Sequence, residues 1–537
     1  MTNISITSYS AICDLGSGVK EIFKNSLLPD ADFFECDDCI VKGTNLYFGK
    51  VKTPLPEISD PKFNTRTNAL LLHCVNAIRK DIDALVEKYG KDRIGVVAGT
   101  TNAGVNEYEL SGEVFHSQIG SVAIFLKEHL GLKSYYTGVS TACTSGIKAF
   151  STGVKLLENG VCDAVLCAAA DALSKTPVFG FSALEVMSAS KCKPFSKNRD
   201  GINIGEGAAL FVLEKDANKG IKILGIGETS DAYHSATPDP QGVQAAKAIE
   251  LALKQAGIEP EDIDYINLHG TGTLTNDIME ANAVYKIFKD KIPSSSTKSL
   301  TGHCLGASSG VESALCLAFL DDEINPEKYL IPHNFDGVYD TSIPEIRLAK
   351  HGEKAKNNRY VMCNAFGFGG SNAVIIFGKS GAGSTEPDYT KALLSQILPH
   401  DAPMILIDGI LEVNLEEKYV RTVVEINKDK VFFDETIQGV SPLAGIEFMA
   451  QSIGCYSYFR RGGGEPKVGF LLGSRSYSCS LEKFEDGKSY EVVAREVFGD
   501  NELVSFECFI YNDGIECAKA VVNAYQPEDF DSSKIDL

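Results

Sequence analysis

The chain has 537 residues, more than a single hydrophobic core normally organises, so we expect at least two domains. A net charge of −21 and an isoelectric point near 5.0 argue against nucleic acid or an anionic membrane as the main partner. No segment approaches about 18 apolar residues without a polar interruption, and no secretory leader is recognisable, so we expect neither a membrane span nor export.

Cysteine usage is the next feature that limits the function. Fifteen cysteines in a chain without an export signal are expected to be reduced thiols in a cytoplasmic protein. Residues 36–39 read Cys-Asp-Asp-Cys, but no second pair and no histidine doublet lies nearby at the spacing of a zinc site. The nine histidines are otherwise scattered. We therefore predict no bound metal.

Along the chain, short apolar runs alternate with stretches of helical periodicity as far as residue 377. The strand-like runs lie at 94–98, 164–170, 208–213, 223–227, 263–268, 360–364 and 373–377. Helical patterns at 122–130, 243–256 and 311–320 fall between them. Strands that alternate with helices predict a layered α/β architecture.

Residues 139–146, Val-Ser-Thr-Ala-Cys-Thr-Ser-Gly, place a cysteine between an apolar run and a helical pattern that begins near Ile147. At such a turn, backbone N–H groups and the helix dipole favour the thiolate of Cys143, the form that attacks acyl carbonyls. The alternative interpretation of this cysteine is a small buried hydrophobic side chain. Two later segments favour a nucleophile: residues 269–273 read His-Gly-Thr-Gly-Thr, and residues 297–303 read Thr-Lys-Ser-Leu-Thr-Gly-His.

One cysteine followed by two histidines with Gly and Thr neighbours, the second preceded by a lysine, resembles the active site of β-ketoacyl synthases. Further motifs of that family follow in family order at 193–196 (Lys-Pro-Phe-Ser), 205–209 (Gly-Glu-Gly-Ala-Ala), 306–310 (Gly-Ala-Ser-Ser-Gly) and 364–372 (Asn-Ala-Phe-Gly-Phe-Gly-Gly-Ser-Asn). The resemblance implies the thiolase fold, an α/β fold in which two similar halves, each a sheet with helices, stack as five αβαβα layers. We assign residues 1–380 to this synthase domain.

The resemblance also implies the chemical roles of the central residues. Cys143 would carry the acyl chain as a thioester, and its own N–H and that of Phe368 would be the oxyanion donors. His269 and His303 would donate hydrogen bonds to the malonyl thioester carbonyl as it becomes an enolate. The side chain of Phe368 would swing to admit the second substrate.

Five further residues receive supporting roles from the same resemblance. Lys298 would orient the second histidine and share a buried charge network with Glu280. Thr271 and Thr273 would hold the pantetheine arm, and Glu312 would contact structural water or backbone. No bound cofactor is implied, because the substrates carry their own phosphopantetheine.

Three interpretations of this half compete: a degradative thiolase, a chain-length factor and an active elongating synthase. A degradative thiolase uses two cysteines and lacks the paired histidines, and a chain-length factor is a dimerising relative that has lost the nucleophile. Starter-specific synthases use Cys-His-Asn, whereas the last position here is His303. The favoured interpretation is therefore an elongating synthase that accepts primers linked to acyl carrier protein.

A segment rich in small residues, 381–390, is predicted to be a linker. Residues 391–537 combine one apolar helix with several strand-like runs, which predicts an α+β sheet around a helix. Two segments resemble hotdog-fold acyl carrier protein dehydratases, closest to the aryl polyene branch: 397–408 (Ile-Leu-Pro-His-Asp-Ala-Pro-Met-Ile-Leu-Ile-Asp) and 445–451 (Gly-Ile-Glu-Phe-Met-Ala-Gln). The synthase half resembles synthases of that same pathway.

The hotdog half lacks one residue that its resemblance implies. The usual catalytic histidine would lie fourteen residues before the helix glutamate, Glu447, but Phe433 occupies that position. His400 is the only histidine of this half, and in the family the histidine of that opening motif is generally structural. Four interpretations stay open: a dehydratase with a rearranged site, a half-site completed by a partner hotdog subunit, a non-catalytic dimerisation module, or a thioesterase.

The resemblance implies acyl carrier protein as a partner, and carrier proteins are acidic like this chain. Docking would need a local basic patch, for which Lys191, Lys193, Lys197 and Arg199 are candidates, although a solvated surface loop is the alternative. We also expect the synthase half to pair through an edge strand near the nucleophile turn. The product would be a homodimer, or a heterodimer with a synthase-like or hotdog subunit.

Overall fold

The computed structural model describes most of the chain, in two compact units, 1–384 and 385–537. The described residues are 4–28, 33–37, 45–215, 217, 219–379, 394–400, 403–415, 417–461, 466–499, 503–512 and 514–525. The predicted linker, 381–390, lies outside them. Within these ranges, no helix has both the length and the apolar character that crossing a membrane requires.

Unit 1 contains fourteen described strands and twelve described α-helices. The strands are β1 Ile4–Cys13, β2 Gly16–Ser17, β3 Glu35–Asp37, β4 Leu46–Gly49, β5 Ile94–Gly99, β6 Tyr136–Val139, β7 Ala164–Asp171, β8 Ile204–Gly205, β9 Gly207–Lys215, β10 Ile221–Ser230, β11 Tyr265–Asn267, β12 Ser294–Ser295, β13 Tyr360–Gly367 and β14 Ser371–Lys379. The helices are α1 Val19–Ser26, α2 Arg66–Ala77, α3 Arg79–Tyr89, α4 Val105–Ser111, α5 Val114–Ser117, α6 Ser121–Leu130, α7 Ser145–Glu158, α8 Lys175–Ala183, α9 Val243–Ala256, α10 Leu274–Phe288, α11 Lys298–Thr301 and α12 Ser308–Leu320.

The main sheet of unit 1 consists of two similar halves. One half has the order β6-β5-β7-β9-β1 and the other β12-β11-β13-β14-β10, and they join where Ser5 of β1 lies opposite Lys222 of β10. In each half the two pairings farthest from the join are parallel and the two nearest are antiparallel. The second half therefore repeats the strand pattern of the first, as the resemblance to the thiolase fold implies.

Helices α7 and α12 form the central layer, because they contact each other and strands of both halves. All of α12 is buried, and its close approach to α7 requires glycine: a Cβ on Gly146 would lie 2.7 Å from the backbone nitrogen of Gly310. On the outer faces, α2 packs on β1, β7 and β9, and α9 packs on β10 and β14. These contacts give five layers. The strand β7 is buried along its whole length, which explains its unbroken apolar sequence.

Unit 2 is a six-stranded antiparallel sheet that packs on one helix, α13 Gly445–Arg460. Its strands are β15 Gly409–Asn414, β16 Tyr419–Glu425, β17 Phe433–Asp434, β18 Gly439–Val440, β19 Phe470–Cys479, β20 Phe484–Glu485, β21 Ser489–Gly499, β22 Leu503–Asn512 and β23 Ile515–Tyr525. The main order is β15-β16-β21-β22-β23-β19, and α13 contacts the first five of these strands. Alternate residues of β22 are buried, which is the pattern of a sheet covered on one face. The predicted sheet around a helix is thus confirmed.

Candidate active site

Cys143 lies in a tight turn between the end of β6 and the first residue of α7. The preceding Ala142 has a φ of 54°, in the left-handed region that non-glycine residues seldom adopt. Two side chains hold this backbone: the hydroxyl of Thr144 donates to the carbonyl of Thr141, and that of Ser145 donates to the carbonyl of Ala142, both at 2.6 Å. The strained turn directs Cys143 into a cavity of unit 1.

The thiol of Cys143 is buried, and its environment is not the one that we predicted from the turn. Burial raises the pKa of Cys143 to about 11, against the lowering effects of the Lys298 charge and of hydrogen bonds from the N–H groups of Phe368 and Cys143. The expectation that the turn favours a thiolate is therefore wrong for the unliganded site, because desolvation outweighs the local donors. The two N–H groups that the resemblance assigns to the oxyanion hole both point at this sulfur.

His303 is fixed in one tautomer by the backbone. The N–H of Leu305 donates to Nδ1 of His303 at 2.9 Å, so the proton of the neutral ring is on Nε2. That Nε2 lies 3.0 Å from Sγ of Cys143. Burial, followed by the Lys298 charge, holds the pKa of His303 well below its usual value, so the ring is a neutral donor.

His269 lies next to His303, with ring centroids 5.5 Å apart and the rings nearly perpendicular. Its turn is held by Glu280, whose carboxylate accepts the backbone N–H groups of His269 at 2.8 Å and Gly270 at 2.6 Å. Burial, the Lys298 charge and the neighbouring His303 hold the pKa of His269 well below its usual value. Burial also raises the pKa of Glu280 to about 7.

Lys298 is fully buried and pairs with Glu312, which corrects two predictions. Among the described residues, no ion pair joins Lys298 to Glu280, because that carboxylate is turned toward the backbone of the His269 turn. Nor does Lys298 hydrogen-bond to His303, which is oriented by a backbone N–H instead. Glu312 is the acid that pairs with Lys298, and Ser308 donates to it at 3.2 Å.

The cavity in front of Cys143 contains the remaining predicted residues. The hydroxyls of Thr271 and Thr273 line it and lie 2.9 Å apart. The side chain of Phe368 is 37% exposed, and its ring centroid lies 5.3 Å from that of Phe181, a lining residue to which no role was assigned from the sequence.

Two further residues that line the cavity, Asp231 and Asn372, contact each other, and no role was assigned to them from the sequence. The amide of Asn372 donates to Asp231 at 2.6 Å, across the strand pair β10–β14. Asn372 is the last residue of the motif at 364–372, which was the available signal for this residue; Asp231 lies in no motif described above. The pair connects the glycine turn after Phe368 with the loop that follows β10.

One buried group has the donor atoms of a metal site. The sulfur of Cys143 and ring nitrogens of His269 and His303 lie within 4.8 Å of one another. A thiolate with two imidazoles suits zinc chemically, but these are also the nucleophile and donors that the synthase motifs imply. A metal-free site stays a prediction that metal analysis can test. Cys36 is exposed, and its partner in the C-x-x-C pair lies outside the described residues.

The candidate docking patch divides into surface and buried residues. Lys197 is exposed, and Lys191 and Lys193 line a surface groove. Arg199 is buried and donates to Asp340 at 2.6 Å, so its inclusion in a docking patch is wrong. Its charge is neutralised inside the fold.

In unit 2, the two hotdog candidates are brought together. His400 and Glu447 line one cavity, whereas Phe433 lies on β17 and does not line it. Nδ1 of His400 is buried and has no hydrogen-bond partner among the described residues.

Comparisons with protein families agree with this geometry. Residues 57–219 match the N-terminal domain and residues 221–330 the C-terminal domain of β-ketoacyl synthases. Residues 393–534 match the ApeP-like family, described as ApeP dehydratase. The chain is 30% identical over 423 residues to 3-oxoacyl-[acyl-carrier-protein] synthase 2 of Staphylococcus aureus (strain COL), covering 70% of this chain and 98% of that protein.

Two solved structures share the fold of the synthase half. One is a ketosynthase (ApeO) in complex with its chain length factor (ApeC) from Xenorhabdus doucetiae, with a TM-score of 0.65 and 34% identity over 70% of this chain and 98% of that chain. The other is the ishigamide ketosynthase/chain length factor, with a TM-score of 0.61 and 25% identity over 70% of this chain and 99% of that chain. The chain therefore belongs to the β-ketoacyl synthase family, has that family's thiolase-like fold in unit 1, and continues into an ApeP-like dehydratase domain.

Proposed function

We propose that unit 1 elongates an aryl polyene-like chain by condensing a primer on Cys143 with malonyl-acyl carrier protein. The observation that carries this proposal is the convergence on one sulfur of two backbone N–H groups and the protonated Nε2 of His303. The similarity to a ketosynthase named ApeO supports the pathway type.

The first step is acyl transfer. The sulfur of Cys143 attacks the primer thioester, a new C–S bond forms, and the bond to pantetheine breaks. The thiol proton leaves with the pantetheine sulfur. The oxyanion of this step would be held by the N–H groups of Cys143 and Phe368, which already point at the attacking sulfur.

The second step is decarboxylation and condensation. The malonyl thioester loses carbon dioxide, and the electron pair of that bond forms an enolate whose oxygen accepts hydrogen bonds from His269 and His303. Both rings are buried and their pKa values are well below the usual range, so they act as neutral donors. The enolate carbon attacks the acyl carbonyl, and the sulfur of Cys143 leaves and regains a proton.

Substrate delivery needs no bound organic cofactor in this proposal, because the carrier protein brings phosphopantetheine. The hydroxyls of Thr271 and Thr273 line the cavity of Cys143 and are the groups that would hold that arm. Phe368, in contact with Phe181, is the side chain that would move to admit the malonyl group. The presence of Cys143 with both histidines favours an active synthase over a chain-length factor.

A second synthase-like subunit is the partner that we propose for unit 1. The strand β6 is at the end of the sheet, directly before the nucleophile turn, and Tyr135 and Tyr136 beside it are 48% and 42% exposed. An open strand edge is a surface for pairing with another chain. Two structural relatives are described as pairs of a ketosynthase and a chain length factor, so a heterodimer and a homodimer are the two forms to test.

The experiment that tests the condensation uses the full chain with malonyl-acyl carrier protein and a series of acyl primers. We expect an acyl group on Cys143 by mass spectrometry and a 3-oxoacyl product on the carrier protein. A matched Cys36→Ser variant, changed at an exposed cysteine, should behave like the parent. Full condensation without acylation of Cys143 would contradict the proposal.

We also propose that unit 2 is a hotdog domain that converts 3-hydroxyacyl thioesters to enoyl thioesters. The observation that favours this function is the cavity that His400 and Glu447 share. A thioesterase or a non-catalytic module would release a free acid or no product from the same substrate. A cytoplasmic location, where carrier-protein thioesters are available, stays part of this proposal.

A further inference from the structure

We propose that the dehydration site of unit 2 is complete within one chain, with His400 as the base and Glu447 as the acid. This inference rests on the proposed dehydratase function and goes beyond it, because it decides whether a partner subunit must supply the missing base. It also assigns the opening segment of unit 2, where His400 lies, to catalysis.

Unit 2 needs a base at an unusual position because Phe433 occupies the usual one. This residue lies on the short strand β17, where dehydratases resembling unit 2 have a histidine, and a phenyl ring cannot take a proton. His400 is the only histidine after residue 384. If one chain is to remove an α-proton with an imidazole, His400 is the only candidate.

The cavity is the first observation that places His400 at a reaction site. It has a volume of about 170 Å³ and lies between α13 and the sheet of unit 2. Apolar side chains form most of its wall, among them Leu398, Ile453, Val504 and Val522. Such a wall suits the acyl chain of a thioester, and it leaves only a few polar groups to act on the reacting carbons.

The unpartnered nitrogen of His400 is the second observation. Nδ1 is buried, yet no hydrogen-bond partner lies within reach among the described residues. Leaving a buried polar atom without a partner is unfavourable, and one that lies in a cavity wall is available to a ligand or a reaction. A base needs an unoccupied acceptor, and Nδ1 of His400 is such an acceptor in a cavity wall.

Glu447 is held in a different manner, by a hydrogen bond to its carboxyl oxygen. It lies in the first turn of α13, and the amide of Gln451, one turn later, donates to its Oε1 at 3.2 Å. The same amide group donates to the carbonyl of Met404 at 2.8 Å and accepts the N–H of Leu406 at 2.8 Å. Gln451 therefore ties the segment that follows His400 to the helix that carries Glu447.

The elimination balances with these two groups alone. Nδ1 of His400 takes the proton from C2, and the electron pair of that C–H bond forms the C2–C3 double bond. The C3–O bond breaks, and the hydroxyl takes the proton of the Glu447 carboxylic acid and leaves as water. Solvent exchange then moves a proton from the imidazolium back to the carboxylate.

The test uses the full chain and a 3-hydroxyacyl-acyl carrier protein, with enoyl and free-acid products measured by mass spectrometry. His400→Gly and Glu447→Gln should each lower enoyl formation by on the order of 10² or more. Added imidazole should restore the His400→Gly variant, because it can occupy the vacated space and take the proton. Glu435→Gln, an exposed carboxylate of the same unit, is the matched control and should retain full dehydration.

Thermal unfolding of the same samples shows whether unit 2 of each variant is folded, and condensation through Cys143 shows that unit 1 is intact. If His400→Gly loses structure, His400→Gln replaces it in the test, because glutamine keeps more of the side-chain volume. Unchanged dehydration in both His400 variants would overturn the base assignment while leaving the dehydratase function intact. Parent protein that is silent alone, and that gains equal activity with and without His400 when a hotdog partner is added, would also overturn it. Parent protein that releases free acid would overturn the dehydratase function itself.

Discussion

The cavity of Cys143 and the cavity of His400 differ in how His303 and His400 are held. In unit 1, a backbone N–H occupies Nδ1 of His303, and the carboxylate of Glu280 holds the turn of His269. In unit 2, Nδ1 of His400 is buried and has no partner among the described residues, while Glu447 is the group that is held. The contrast is between a fixed donor, His303, and an open acceptor, His400.

The difference follows from the role that the imidazole has in each reaction. Stabilising an enolate requires a proton that stays on the ring and points at one place, which a low pKa favours and which an occupied opposite nitrogen, as in His303, favours further. Removing an α-proton requires a nitrogen that is not yet protonated or bonded. His303, whose Nδ1 accepts a backbone N–H, is a fixed donor, whereas Nδ1 of His400 is available to take a proton; Nδ1 of His269 also has no partner among the described residues, so unit 1 fixes only one of its two rings in this way. The following changes test that distinction.

The largest effect is expected for Cys143→Ala. Without the sulfur no acyl-enzyme can form, so we expect condensation to fall by at least about 10³, as losses of a nucleophile commonly do. Decarboxylation of malonyl-acyl carrier protein should survive, because the two histidine donors are untouched. Dehydration of a supplied 3-hydroxyacyl substrate should be unchanged. Mass spectrometry and carbon dioxide release measure these activities, and an acylated alanine variant with full condensation would refute the role of Cys143.

Lys298→Ala should have the next largest effect. Its charge lowers the pKa values of Cys143, His269 and His303, so its loss should cut condensation by on the order of 10². It also leaves Glu312 buried without its cation, which costs about 3–5 kcal/mol. The double variant Lys298→Met/Glu312→Leu should recover stability in thermal unfolding without recovering activity. The exposed Lys291→Ala is the control, and equal rates for the two alanine variants would reduce Lys298 to a structural role.

A smaller, pH-dependent effect is expected for Glu280→Gln. Burial raises the pKa of Glu280 from 4.5 to about 7, so between these values the folded chain holds a proton that the unfolded chain has lost. The stability contributed by this carboxyl is therefore present below the lower value and is lost as pH rises through about 7. The ionised form is the better acceptor for the N–H groups of His269 and Gly270, so condensation should rise over the same range.

Glutamine cannot ionise and has one acceptor oxygen for two N–H groups. We expect the stability and the condensation rate of Glu280→Gln no longer to change over this pH range. Above pH 7 its condensation rate should be about tenfold lower than that of the parent, because only the turn of His269 is held less firmly. Melting temperatures and rates between about pH 5 and 8 measure this. Parallel pH profiles for the parent and the variant would show that another group titrates. Dehydration by unit 2 should not respond to the substitution.

Much of the fold followed from local patterns, and the remainder depended on distant contacts. The helical pattern at 243–256 coincides with α9, and the fully apolar run at 164–170 is the buried strand β7. The repeat of strand order in the two halves was available only through family resemblance, because pairings such as Ser5 with Lys222 have no local sequence signal. The short strands β17, β18 and β20 were not predicted, since two residues carry no periodicity.

The site was predictable where side chains do the chemistry and not where the backbone does. Cys143 and the two histidines stand in recognisable motifs, but the Leu305 N–H that sets the tautomer of His303 has no residue-type signature. The partner of Lys298 was misassigned because Glu280 and Glu312 flank it in sequence, and only packing decides between them. The predicted direction of the pKa shift of Cys143 was wrong, because the shift depends on burial and burial is a property of the whole fold.

The smallest effect is expected at the groove of Lys191 and Lys193. Lys193 donates to Ser190 at 2.8 Å, and its backbone nitrogen lies next to Gly272, between the two threonines of the Cys143 cavity. An acidic carrier protein docking there would place its pantetheine near those threonines. Lys193→Glu should raise the KM for malonyl-acyl carrier protein several-fold with kcat unchanged, because exposed charges contribute about 0.2–1 kcal/mol and act mainly on encounter. The rise should shrink as salt is added, since screening weakens the repulsion.

Two substitutions distinguish docking from a general effect of charge. Lys247→Glu, on the exposed face of α9, changes the net charge equally and should leave KM unaltered. Arg199→Ala should behave differently from both, because it leaves Asp340 and the buried Asp277 without their cation and therefore lowers the melting temperature. Equal KM values for Lys193→Glu and Lys247→Glu would show that the groove is not part of the docking surface. A KM increase for carrier-protein substrates but not for short pantetheine thioesters would instead locate carrier recognition at Lys193, away from the fixed donors around Cys143.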